Sequence, residues 1–231
     1  MFVAASAAHA QNPVEPGFFV DTQVLWFDSE ITGDFELAPR FIAGYDNTVG
    51  MRVRYWTYDH AAEVHRNHLT HQRLDFDVID LEATTHIRWE YTDFQFAGGA
   101  RIAHIDHTTY RPLSQPVPET DFEKTTMGGI TAAGEGRTHL FRTDVCGAAF
   151  VYGGRLSMLQ GDWEGNPGAA SYNVQNDRFI VPEVFTGVEA HYGQVFARMT
   201  VEMQEWKGRD VGLASRNYGF TGYGVNLGYS F

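Results

Sequence analysis

The chain has one cysteine in 231 residues, Cys146. An intrachain disulfide framework is therefore excluded, and Cys146 reads as a small apolar filler. Long apolar runs are missing as well. Nothing approaches the roughly 18 consecutive apolar residues of a membrane-spanning helix. Positive charge is scarce: 17 Lys and Arg stand against 29 Asp and Glu, a formal net charge of −12. No basic patch is available to neutralise phosphates, so nucleic acid is not an expected partner. The mean hydropathy of −0.30 would suit a soluble protein, yet it does not decide the matter. A transmembrane strand is short and needs an apolar residue only at every second position.

Aromatic residues are plentiful, with 17 Phe, 11 Tyr and 5 Trp, and there are 24 glycines. Rings of this kind are enriched at membrane–water interfaces, and glycines suit turns and closely packed strands. Near the start, Ala8-His9-Ala10 follows a short apolar stretch, the pattern of a small-x-small export cleavage site that lacks its basic leader. Residues 1–10 are expected to be a signal-peptide remnant and residues 11–231 a single barrel domain.

Period-two alternation recurs along the chain. Phe18 to Asp28 places Phe18, Val20, Thr22, Val24 and Trp26 on one face and Asp21 and Gln23 on the other, with Phe27 breaking the polar parity. Further strands are expected at about Arg40 to Tyr45 and Val49 to Tyr58, before a polar loop from His60 to Arg73. The segment Val78 to Glu90 sets Ile79, Leu81, Ala83, Ile87 and Trp89 against Asp80, Glu82, His86 and Arg88. A helical period would scatter those charges round its axis. Phe94 to about His107 follows, then a loop with Pro112, Pro116 and Pro118. Next come strands at about Thr125 to Arg137 and Leu140 to Tyr152, joined by a turn at Thr138, and a loop from Gly153 to Asp177. Arg178 to Tyr192, Gln194 to Trp206 and Gly219 to Phe231 complete the set.

Ten strands joined alternately by long and short connections put all long loops at one rim and all short turns at the other. Bacterial outer-membrane barrels show this asymmetry. A soluble barrel of the lipocalin kind also alternates, with its apolar face turned inward. Charges deep within the strands and a strand that runs to Phe231 favour the membrane form. The expected fold is all-β: an up-and-down antiparallel transmembrane β-barrel of about ten strands, exported to the bacterial outer membrane.

The chain resembles the Legionella major outer membrane protein family. The likeness is carried by Phe18-Phe19-Val20-Asp21 through Leu25-Trp26-Phe27, Pro39-Arg40-Phe41, Gly44-Tyr45, Val53-Arg54-Tyr55-Trp56, Val78-Ile79-Asp80-Leu81-Glu82, Gly98-Gly99-Ala100-Arg101-Ile102 and the closing Gly228-Tyr229-Ser230-Phe231. It covers nearly the whole chain after residue 10 in short pieces. The resemblance implies an outer-membrane barrel with a pore-forming or surface role and supplies no catalytic residue.

The candidate lumen-lining residues are Arg52, Arg54, Glu82, Arg101, Arg142, Asp144, Glu183, Arg198 and Glu202. They would either line a narrow polar passage for ions or small solutes and set its selectivity, or pair across the interior as a plug. A ten-stranded barrel lies near the size at which side chains fill the interior. A second set, His60, His65, His68 and His71, is a weak candidate for Zn²⁺ or Cu²⁺. Asp106-His107 and Asp59-His60 are the nearest match to an omptin-like protease. Expected overall is a non-enzymatic barrel in outer-membrane lipid with no cofactor, porin-like or, alternatively, a plugged adhesin or structural barrel.

Overall fold

The computed structural model describes residues 17–29, 35–64, 70–111, 119–143, 145–165, 172–208 and 217–231. The signal-peptide remnant expected at residues 1–10 lies outside them. Ten strands form one closed antiparallel barrel in which each strand pairs with its neighbours in sequence and β1 closes on β10. They are β1 (Gly17–Ser29), β2 (Phe35–Asp46), β3 (Val49–Val64), β4 (Thr70–Trp89), β5 (Thr92–Arg111), β6 (Glu119–Arg142), β7 (Cys146–Gly165), β8 (Tyr172–Tyr192), β9 (Val195–Lys207) and β10 (Asn217–Ser230). Short turns join β2–β3, β4–β5, β6–β7 and β8–β9 at one rim, and the longer connections lie at the other. The up-and-down barrel with sorted loop lengths is thus the fold that alternation implies.

Its wall has two storeys. Toward the short-turn rim, apolar side chains point out and polar ones point in. On β4, Ile79, Leu81, Ile87 and Trp89 are exposed while Asp80 and Glu82 are buried. On β10, Tyr223, Val225 and Leu227 face out and Asn226 faces in. Toward the long-loop rim the pattern inverts. Leu74, Phe76 and Val78 are buried inside, while Arg73 and Asp77 face out. Phe27 on β1, Trp56 and Tyr58 on β3, Trp163 on β7, Trp206 on β9 and Phe220 on β10 join the same inner cluster. The lower wall is inside-out, as lipid demands. The upper wall has an apolar core and, on β4 and β7, a polar outer face, whereas β2 keeps Phe35 and Leu37 outside.

This inversion corrects the strand ends read from sequence. The segment expected to be a loop from His60 to Arg73 is mostly strand: β3 runs to Val64 and β4 begins at Thr70. Likewise β7 continues from Tyr152 to Gly165, well into the segment read as loop from Gly153. In place of the turn expected at Thr138, β6 runs on to Arg142 and the connection to β7 follows it. There the Thr143 hydroxyl accepts hydrogen bonds from the N–H groups of Val145 (3.3 Å) and Cys146 (3.0 Å). A register shift between His139 and Phe141 leaves both Leu140 and Phe141 exposed, so strict alternation loses its phase where the turn was sought. Cys146 sits half-buried at the start of β7 beside that turn.

One seam in the wall is incomplete. The β2–β3 ladder begins at Tyr45–Met51 and stops at Arg40–Trp56, although β2 continues to Phe35 and stays paired with β1 up to Asp28–Phe35. The next rung would need Pro39, which has no N–H to donate.

Glycines let strands approach closely at particular points. A Cβ added to Gly129 would collide with the backbone of Met158 and Leu159 on β7, whereas one on its neighbour Gly128 meets nothing within 4 Å. Gly129→Ala is expected to lower unfolding stability by about 1–3 kcal/mol, the scale of overpacking, while Gly128→Ala leaves it unchanged. Urea titration in lipid vesicles, followed by the heat-modifiable gel band, checks both.

Candidate functional site in the barrel lumen

The site begins with the inward parity of the lower storey. Alternate residues of every strand project into a ten-stranded interior, and long arginines can reach well across it. Asp80 on β4, fully buried, accepts hydrogen bonds from Arg54 Nε (2.7 Å) and Arg101 Nε (2.6 Å). Glu183 on β8 pairs with Arg101 (2.5 Å) and Arg54 (3.3 Å). Glu82 accepts from Arg52 Nε (2.5 Å) and also pairs with Arg155 of β7. Glu202 accepts from Arg40 Nη1 (2.9 Å) and from Gln23 Nε2 (2.6 Å). Closer to the short-turn rim, Arg198 is held by Glu189 (2.7 Å) and Glu135 (2.8 Å).

Strand order gives these pairs their meaning. β3 and β8 lie on opposite sides of the ring, so the Arg54–Glu183 pair spans the lumen. Just above, Phe76 of β4 meets Trp206 of β9, again an opposite strand, at a ring-centroid distance of 5.2 Å. Trp56 lies 6.2 Å from Phe76 and 6.4 Å from Trp206, and Phe220 lies 5.2 Å from Phe76. Arg101 joins the two layers, its guanidinium 5.9 Å from the Trp206 ring centroid. Such a placement adds a cation–π attraction to the ionic ones. The lumen is therefore bridged twice, by ion pairs and then by rings.

Below the bridge the interior opens. A cavity of about 70 Å³ lies among Asp21, Arg40, Glu135, Arg198 and Asn226. It leads to a vestibule of about 710 Å³ lined by His86, Arg88, Asp93, Arg137, His139 and Phe196, with Gly193, Gln194 and Ser230 of the short-turn rim at its mouth. Here His139 Nε2 lies 2.9 Å from Asp93, and His86 Nε2 lies 3.2 Å from Asp46. The lumen is thus a blind polar chamber, open toward the turns and closed toward the loops.

Seven of the nine lumen residues expected from sequence come together in or beside the bridge: Arg52, Arg54, Glu82, Arg101, Glu183, Arg198 and Glu202. Arg142 does not. It follows the register shift in β6, is exposed, and lies at the vestibule mouth. Asp144 lies outside the described residues. Sequence reasoning omitted Arg40, Asp80, Glu135, Arg155 and Glu189. Asp80 stood on the recognised polar parity, whereas Arg155 fell in a segment read as loop.

The histidine set divides. His60 is a strand residue pointing inward, its Nδ1 3.0 Å from Glu36 Oε2. His65 and His68 lie outside the described residues, as does the side chain of His71. Among the described residues no group of three or more His, Cys, Asp or Glu is placed to hold a metal. Strand alternation also separates both Asp–His pairs. His60 and His107 face the lumen, while Asp59 faces out to Arg73 (3.1 Å) and Asp106 to Lys124 (2.7 Å).

Asp75 belongs to that outer cluster, above the apolar band that begins on β4 at Ile79. Partial burial, then a hydrogen bond with Asp59 and the Asp59 charge, push its carboxyl up to about 6, against the opposing pull of Arg73.

No protein-family model matches the chain, and no curated protein is similar to it. The likeness to the Legionella family accordingly stands on the short segments quoted above. Solved structures are similar in fold. The outer membrane protease OmpT from Escherichia coli superposes with a TM-score of 0.57 at 10% identity, covering 96% of this chain and 99% of that one. The translocator domain of the autotransporter NalP from Neisseria meningitidis gives 0.52 at 10% identity, covering 92% and 88%. At such identities the likeness establishes the outer-membrane type of barrel fold and nothing finer.

Two outcomes follow. Asp80→Ala leaves the buried Arg54 and Arg101 with Glu183 as their one remaining shared acceptor and is expected to cost about 3–5 kcal/mol of unfolding stability. Adding Arg101→Met to it should recover part of the loss, as paired urea titrations would register. The raised pKa of Asp75 means that the folded state holds its proton more tightly. Its contribution to stability is present below 3.8 and is lost as pH rises through about 6. Asp75→Asn should flatten the stability profile across that window.

Proposed function

We propose that the protein is an outer-membrane surface barrel with a plugged lumen, anchored in lipid by its lower wall and presenting its long loops outside. The observation that carries this reading is the double bridge between opposite walls, Arg54 to Glu183 and Phe76 to Trp206. Ions crossing the barrel would have to part both layers. The pore-forming role implied by the family resemblance would require that movement. The blind vestibule is the feature that favours it, since its polar lining could admit ions or small solutes from the periplasmic side.

The same reading takes the chain as non-enzymatic. Of each Asp–His pair weighed for hydrolysis, one member faces the lumen and the other the outside, so the two cannot converge on one water molecule.

Planar-bilayer recording tests the proposal. The folded wild-type barrel should insert without discrete conductance steps, while Phe76→Ala and Trp206→Ala combined with Glu183→Ala, which takes a partner from both layers, should produce them. Steady steps from the wild type, altered in ion selectivity by Glu82→Gln, would instead establish the porin reading.

A further inference from the structure

One row of the ladder near the short-turn rim is arranged in a way that packing of the wall does not require. It crosses five consecutive strands. Arg142 of β6 stands opposite Gly147 of β7, and Gly147 opposite His191 of β8. His191 in turn stands opposite Phe196 of β9, and Phe196 opposite Gly228 of β10. Side chains of a directly opposed pair such as His191 and Phe196 ordinarily pack on each other. Here they part. The His191 ring leans over Gly147, where an added Cβ would collide with its Nε2. The Phe196 ring leans the other way over Gly228, where an added Cβ would collide with the ring edge. A glycine on each flank lets the two rings lie back against the wall. Between them is a cleft, and both rings line the vestibule of about 710 Å³.

The two sides of the cleft differ in chemistry. Phe196 is half-buried and presents an apolar face. On the other side hydrogen-bond donors are in surplus. Glu189, two residues before His191 on β8, is already held by Arg137 (3.1 Å) and Arg198 (2.7 Å). The charges of Arg137, His139 and Arg142 reach His191. Among the described residues no carboxylate pairs with Arg142, and neither Arg142 nor His191 has a hydrogen-bond partner. Arg142 lines the vestibule mouth, where its planar guanidinium can take both oxygens of a carboxylate.

We infer that this cleft binds a small organic carboxylate with an apolar body, its carboxylate on Arg142 and His191 and its body against the Phe196 ring. A ligand of this class answers both walls at once. A bare inorganic anion would leave the ring face uncovered, and a neutral apolar solute would leave Arg142 without a partner. The inference deepens the reading of the vestibule as a chamber that admits small solutes, and it is independent of whether the bridge above conducts.

The test titrates the full chain, folded in uncharged maltoside micelles, with para-fluorobenzoate and follows the ligand by fluorine NMR. Saturable binding is expected. Para-fluorobenzyl alcohol, which keeps the ring without the charge, should show only non-saturable partition into the micelle. Arg142→Gln should weaken fluorobenzoate binding about tenfold, the scale of one hydrogen bond to a charged group. Phe196→Ala should weaken it about threefold or more, as loss of a ring contact implies. Lys207→Gln, at an exposed position away from the vestibule, should leave it unchanged. The heat-modifiable gel band establishes that each variant is folded. Absence of saturable binding by the wild type overturns the cleft, as does an affinity that Arg142→Gln and Phe196→Ala both leave unaltered. Either result leaves the plugged surface barrel standing, because that reading is decided by conductance.

Discussion

A β-strand offers its side chains two faces and no third, so a closed barrel must match one face to its interior and the other to whatever lies outside. Everything in this molecule follows from a change in that outer medium partway up the wall. Where Ile79, Leu81 and Val225 face out, the interior receives charge. Where Arg73, Asp77 and Lys207 face out, the interior receives Phe76, Tyr58 and Trp206. The same strands carry both arrangements, with the switch on β4 falling between Val78 and Asp80.

The switch also shapes the lumen. A buried charge is costly unless paired and hydrogen-bonded. Arg54, Arg101 and Arg155 therefore sit beside Asp80, Glu82 and Glu183 at the level where the polar interior meets the apolar one. Their pairs tie distant strands together, and the rings above seal them from the loop side. Breaking one partner leaves the others stranded, so the network specifies a single arrangement of the wall even if its net stabilisation is small. The vestibule beneath stays open between charged groups such as Arg88, Asp93 and Arg137 and rings such as Phe19, Phe94 and Phe196.

The barrel, its strand number and the sorting of its loops were legible in the sequence because the lower wall keeps period two everywhere but at the His139–Phe141 register shift. The upper wall was not, and the reason is physical. When polarity changes faces, apolar residues move from odd to even positions, and the alternation looks broken although the strand continues. Phe27 already carried that sign as an apolar residue on the polar parity, as did Val78. The omission of Arg155 has the same origin: Leu159 and Trp163 point inward beyond it and Asp162 points outward, which reads as an irregular stretch. The continuation of β6 past Thr138 and the exposure of Arg142 go with a register shift between His139 and Phe141, which residue types alone do not announce.

The claim on which the rest stands is that inversion, and spin labels placed singly along β4 from Arg73 to Trp89 test it most directly. In bilayers, labels at positions 79, 81, 87 and 89 should collide with dissolved oxygen as lipid-facing sites do. Labels at 73, 75 and 77 should collide with a water-soluble relaxant, and those at 74, 76 and 78 should be shielded from both. Lipid-like accessibility continuing through 73, 75 and 77 would contradict the two-storey wall, and the plugged upper lumen would lose its physical basis.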